Sequence, residues 1–167
     1  MDETPREADW RLWLEDHAPK LLLFARQQAR SEADAQDLVQ EAVVEASKRQ
    51  SNGMPPPPAL VFATIHRRAI DLARRQDRRA GRERAALEPP RDSWFDTGVE
   101  DRERAQVIQG AMNRLPDIYR QVITLRVWGG LTFAEISHSL GIPPNTAASR
   151  YRYGLAELRK LTKEVLA

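Results

Sequence analysis

Arg67, Arg68, Arg74, Arg75, Arg78 and Arg79 crowd one short stretch of the chain. Guanidinium groups at this density neutralise phosphates, so their chemistry is polyanion binding rather than bond making. A second set stands near the C-terminus. Asn145, Thr146, Ser149, Arg150, Arg152 and Tyr153 put amide, hydroxyl and guanidinium groups on one helix start. Such groups reach base edges and phosphates. The plain alternative for that segment is a helical hairpin in a bundle. A third set is acidic: Asp34, Asp37, Gln40 and Glu41, with Leu38 among them. It fits a solvated helix face or a partner surface. It fits a metal site poorly, because no histidine lies nearby in sequence.

Catalytic signatures are missing. There is no phosphate-cradling glycine loop, no paired histidine–carboxylate site and no nucleophile with its base. The absence of cysteine excludes disulfides, thiol catalysis and thiolate metal sites. The expectation is a protein without catalytic residues, metal, cofactor or small-molecule substrate.

The net charge of +2 is segregated along the chain. Residues 1–60 carry a net of −4, residues 61–84 +5, residues 85–110 −3 and residues 111–167 +4. Two basic blocks parted by an acidic one point to two places that meet a polyanion, or to two solvated helix faces. The start, MDETPREADW, has no apolar core, so no signal peptide is visible. The apolar run Leu21 to Ala25 is far below the roughly 20 residues that span a bilayer. No membrane insertion and a cytoplasmic location are expected.

Helices must position these groups. Residues 9–29 read as helical, broken near Pro19. In residues 31–48, Ala35, Leu38, Val39, Ala42, Val43 and Ala46 recur at three and four, which makes one buried stripe. "SNGMPPPP" then stiffens the chain, because proline fixes φ and removes donors. A helix from 59 to 79 carries the arginines opposite Leu60, Phe62, Ile65, Ala69 and Leu72. Residues 80–101 lack periodicity and hold Pro89, Pro90 and Gly98, which reads as an interdomain linker. Trp94 and Phe95 within it are apolar enough to dock on a domain or a partner.

Helices follow over 102–114 and 117–128, the second ended by Gly129-Gly130. Thr132 with Glu135 forms a capping box. Gly141 makes a turn, and Pro144 suits the first turn of the last helix. On that helix Ala148, Tyr151, Leu155 and Leu158 are expected to face the core. This layout is a helix-turn-helix. The fold class is all-α: two small helical domains, 9–79 and 102–167, joined by a flexible linker at 80–101.

"RLPDIYRQVITLRVWGGLTFAEISHSLGIPPNTAASRYRYGLAELR" (114–159) resembles region four of bacterial sigma factors, the promoter-recognition subunits of RNA polymerase. "DAQDLVQEAVVEA" (34–46) and "FATIHRRAIDLARR" (62–75) resemble the family's region two. The shortness of the chain makes it similar to the minimal, extracytoplasmic-function group of the sigma-70 superfamily.

The resemblance implies roles. Asp34, Asp37, Leu38, Gln40 and Glu41 would dock on the core polymerase. His66, Arg67, Arg68, Asp71, Arg74, Arg75, Arg78 and Arg79 would meet the minus-ten promoter element. The loop from Ser51 to Pro58 would help hold an unstacked base. Thr132, Asn145, Thr146, Ser149, Arg150, Arg152 and Tyr153 would meet the minus-thirty-five element. Promoter DNA, the bacterial core polymerase and an anti-sigma protein are the implied partners. The chain departs from the family pattern at Val61, His66 and Arg68, and again at Ala148 and Tyr153, where the family is basic. The competing function is a free-standing helix-turn-helix regulator that needs no polymerase.

Overall fold

A computed structural model of the chain describes residues 2–50, 52–83, 93–96, 98 and 101–166. The described residues form α1 (Pro5–Gln28), α2 (Glu32–Lys48), α3 (Pro58–Glu83), α4 (Arg102–Arg114), α5 (Asp117–Val127), α6 (Phe133–Leu140) and α7 (Pro144–Leu166), with no strand among them. The fold is all-α. The helices fall into two compact units, Met1–Asp92 and Ser93–Ala167. No helix among the described residues is long and apolar enough to cross a membrane.

In the first unit α1, α2 and α3 pack against one another. α1 supplies Leu21, Phe24 and Ala25, all fully buried. α2 supplies Ala35, Ala42 and Ala46, and these small side chains let it lie close to its neighbours. α3 adds Val61, Phe62 and Ile65, with Phe62 edge-on to Phe24 at 5.6 Å between ring centres. Arg26, only 9% exposed, holds Glu32 by two hydrogen bonds of 3.0 and 3.1 Å and so fixes the α1–α2 corner.

Two sequence expectations change here. α1 is not broken at Pro19 but runs through it. Pro19 lies on the exposed side, where water can take the carbonyl that a proline leaves without a donor. α3 extends four residues past the expected Arg79, because no proline stops it before Pro89.

The loop between α2 and α3 is tied to the start of α1. The Trp10 indole Nε1 donates to the Gly53 carbonyl at 2.9 Å. The Met54 amide donates to Asn52 Oδ1 at 3.0 Å. Gly53 has φ of 69°, and the Arg6 guanidinium lies 3.0 Å from where a Cβ would stand. Pro56 is buried.

In the second unit α7 packs on α4, α5 and α6. Gly154 makes this possible: an added Cβ would come within 2.9 Å of Ile123 Cδ1 and 3.0 Å of Tyr119 Cβ. Trp94, placed by the sequence in the linker, packs on this unit and is 5% exposed. Its backbone N–H donates to Gln109 Oε1 at 2.8 Å, and Phe95 meets Trp128 at 5.7 Å between ring centres. Residues 84–92, the middle of the expected linker, lie outside the described residues.

Candidate nucleic-acid interface

The acidic and basic sets of the first unit face each other across an open groove of about 570 Å³ between α2 and α3. Asp34, Asp37, Glu41 and Glu45 line one wall, and Arg67, Arg68, Asp71 and Arg75 the other. Ion pairs bridge it. Arg68 donates to Glu45 at 2.7 Å and to Glu41 at 2.9 Å. Arg67 also holds Glu45, and Arg49 approaches the same carboxylate at 3.8 Å. Further along, Gln76 donates to Asp34 at 2.8 Å, and Arg30 pairs with Asp77. The hydrogen bond from Arg68 holds the Glu45 carboxyl below its ordinary range, and Arg67 adds to this against the burial that opposes it. The same contact with Glu45 raises the Arg68 guanidinium.

Beyond these pairs α3 changes character. Arg74, Arg75, Arg78 and Arg79 are exposed, and no carboxylate pairs with them among the described residues. Asp71 is exposed between the two groups of arginines. His66 is half-buried, and its Nδ1 atom is fully buried without a hydrogen-bond partner. Burial pushes its imidazole below the ordinary value, which keeps it neutral. On α2, Asp37, Gln40 and Glu41 are exposed and Asp34 is half-buried. Leu38 is different. It is 3% exposed and part of the core stripe, and it lines the floor of the groove.

The second candidate surface rests on the α6–α7 corner. Thr132 Oγ1 accepts from the Glu135 amide at 3.1 Å, and the Glu135 carboxylate accepts from the Thr132 amide at 3.0 Å. The pair satisfies two end donors of α6. Gly141 ends α6 in the left-handed region at φ 66°, and the Ile142 amide reaches back to the Ser137 carbonyl at 3.0 Å. Asn145, Arg152 and Tyr153 are exposed, while Thr146, Ser149 and Arg150 are half-buried. The Arg152 guanidinium lies over the Tyr153 ring at 5.3 Å.

The inward stripe of α7 differs from the expected one. Ala147 is fully buried, Ala148 only half so, and the stripe continues through Tyr151, Gly154 and Leu158. Steps of four, three and four keep those residues on one face.

Sequence reasoning passed over the residues that hold these surfaces in place. Arg120 donates to the carbonyls of Met112 at 2.9 Å, Asn113 at 3.2 Å and Leu115 at 2.9 Å, and its guanidinium lies over Trp94 at 5.6 Å. Arg126 donates to the Leu131 carbonyl at 2.9 Å and covers Phe133 at 4.7 Å. Phe133 in turn meets Tyr151 edge-on. Glu45 was missed as well, although it stands one helical turn from Glu41. Among the described residues no group of three or more histidine, cysteine or acidic side chains could hold a metal ion.

Each unit matches a known family model. Residues 13–79 match the family model for sigma-70 region 2, and residues 105–158 the model for sigma-70 region 4. The ECF RNA polymerase sigma factor SigK of Mycolicibacterium vanbaalenii is 35% identical over 104 residues, covering 60% of this chain and 53% of that protein. SigK of Mycobacterium tuberculosis is 35% identical over 107 residues, covering 60% and 56%. The match thus spans little more than half the length of these curated relatives. Among solved structures, the fold resembles the sigma factor RpoE in complex with the anti-sigma factor NepR from Bartonella quintana. The TM-score is 0.68 at 23% identity, over 93% of this chain and 97% of that one. It also resembles CnrH in complex with the cytosolic domain of CnrY, with a TM-score of 0.60 at 22% identity, over 93% and 88%.

Proposed function

The chain belongs to the sigma-70 family, in its extracytoplasmic-function group, and on that premise we propose that it directs core RNA polymerase to specific promoters. It acts as a cytoplasmic specificity subunit with no catalytic residues of its own. One observation carries this reading: a basic helix beside an acidic face in one unit, and a helix-turn-helix in the other, in the family's order.

In the proposed division of labour, Asp34, Asp37, Gln40 and Glu41 on α2 meet the polymerase. Leu38 supports that face from below. Arg74, Arg75, Arg78 and Arg79 meet phosphates around the minus-ten element, with Arg67, Arg68, Asp71 and His66 nearer the base-holding loop. Unstacking a base costs a few kcal/mol, and a loop already fixed by Trp10 and Pro56 loses little further entropy in holding it. At the second unit, Thr132, Asn145, Thr146, Ser149, Arg150, Arg152 and Tyr153 meet the minus-thirty-five element. The proteins bound in the two solved neighbours support an anti-sigma protein as a further partner.

Run-off transcription with purified core polymerase tests the proposal. A transcript that starts at one promoter only in the presence of this chain is expected. Stable binding to core without such a transcript would falsify it. The alternative, a free-standing regulator using the second unit alone, leaves the α2–α3 groove without a role. It predicts tight, specific duplex binding without polymerase, which a mobility shift reads directly.

A further inference from the structure

Two of the arginines that would bind DNA are already neutralised inside the protein. Arg67 and Arg68 both hold Glu45, and Arg68 holds Glu41 as well. A carboxylate offers guanidinium groups the same two-oxygen acceptor that a phosphate offers. Glu45 is shielded enough to be a stable acceptor, with its side chain 27% exposed, whereas Glu41 is 57% exposed. Asp37, Asp71 and Arg75 line the same groove. About two and three turns further along α3, Arg74, Arg75 and Arg78 have no such partner among the described residues. One helix therefore carries two classes of arginine, open and occupied.

DNA can recruit the occupied class only by exchange with Glu45 and Glu41. Non-specific binding draws its free energy from counterion release at each neutralised phosphate. Arginines that must first give up a carboxylate contribute less to it. We propose that Glu45 is an internal phosphate surrogate. It occupies Arg67 and Arg68 in the free protein and so suppresses binding to DNA without a promoter. Glu41 couples this to the partner. A basic surface that takes the exposed Glu41 leaves Arg68 with one fewer acceptor and readier to meet a phosphate. This coupling rests on the proposed polymerase contact, but the surrogate role of Glu45 does not need it.

The test uses the full chain without polymerase and a labelled oligothymidylate strand as probe, at several salt concentrations. Glu45→Gln keeps the shape and removes the charge. It is expected to bind several-fold more tightly at low salt, and its log–log salt slope should steepen by about 0.7 for each phosphate gained. Glu41→Gln, on a more exposed side chain that folding tolerates readily, should show a smaller gain in the same direction. Arg67→Ala should weaken binding more in the Glu45→Gln background than in the wild type. If folded Glu45→Gln and Glu41→Gln both keep the wild-type affinity and slope, the surrogate role is overturned. Failure of the wild type to support run-off transcription would instead strike the proposed function and leave the oligothymidylate result standing.

Discussion

The two units spend their arginines differently. In the first, Arg67 and Arg68 cross from α3 to α2 and end on carboxylates. In the second, Arg120 and Arg126 end mainly on backbone carbonyls and aromatic rings, and Arg120 adds one exposed pair, to Asp117 at 2.8 Å. An arginine on a carbonyl carries a structural duty, and the side chains of α7 remain free to contact a ligand. An arginine on a surface carboxylate is only loosely committed, because exposed ion pairs contribute about 0–1 kcal/mol. The first unit can trade its pairs for a partner. The second cannot trade Arg120 without losing its frame.

The strongest way to break this contrast is Arg120→Ala. It orphans the ends of α4 and uncovers Trp94, and should cost about 3 kcal/mol. The emission of Trp94 and Trp128 during thermal unfolding reads it, and an unchanged melting curve would show that Arg120 is no frame. Gly129→Ala is next. Its Cβ would stand 2.6 Å from the Leu125 carbonyl oxygen, and crowding of this kind costs about 1–3 kcal/mol. Thr132→Ala removes the α6 cap and should cost about 1 kcal/mol, with weakened binding to a minus-thirty-five duplex in the presence of core.

Smaller effects sharpen the first unit. Arg75→Ala should lower the salt slope for single-stranded DNA by about 0.7, and Arg67→Ala by clearly less. Equal losses would erase the distinction between open and occupied arginines. The pH dependence is smaller still. His66 is held below its ordinary 6.5 by burial, so the unfolded chain takes up its proton first as pH falls. Stability is whole above pH 6.5 and declines below it. Glu45, held below its ordinary 4.5, adds a further loss only as pH falls through the acid range beneath that value. His66→Gln should flatten the first decline in thermal melts compared at pH about 7 and about 5.5.

Local signals were legible in the sequence. The Thr132–Glu135 box, the Gly141 turn and Pro144 at the start of α7 all depend on neighbours within a few residues. So did the two faces of α3. What depends on tertiary register was not. Spacing alone cannot tell that α2 lies against α3 so that Glu45 meets Arg67 and Arg68. It marked Leu38 as part of a buried stripe, but not that the same side chain would floor the groove between α2 and α3. Ala147 and Ala148 are chemically identical, and only the way α7 packs on its neighbouring helices decides which one turns inward. Trp94 sat in a proline-bearing acidic stretch, and its anchor, Gln109, is a polar residue that no apolar pattern would flag.

The Asn52-Gly53 turn has a consequence for how the protein ages. An asparagine followed by glycine is the pair most prone to cyclise, by attack of the glycine nitrogen on the side-chain carbonyl carbon, and then to open into isoaspartate. Here Asn52 Oδ1 is held by the Met54 amide, and the Gly53 carbonyl by the Trp10 indole. Both contacts restrain the turn, and cyclisation needs the Asn52 side chain to rotate away from the Met54 amide. A single indole N–H, forty-three residues away in sequence, thereby bears on the chemical lifetime of this loop. Its loss in Trp10→Phe should appear on storage as isoaspartate at Asn52, by peptide mapping, sooner than in the unaltered chain.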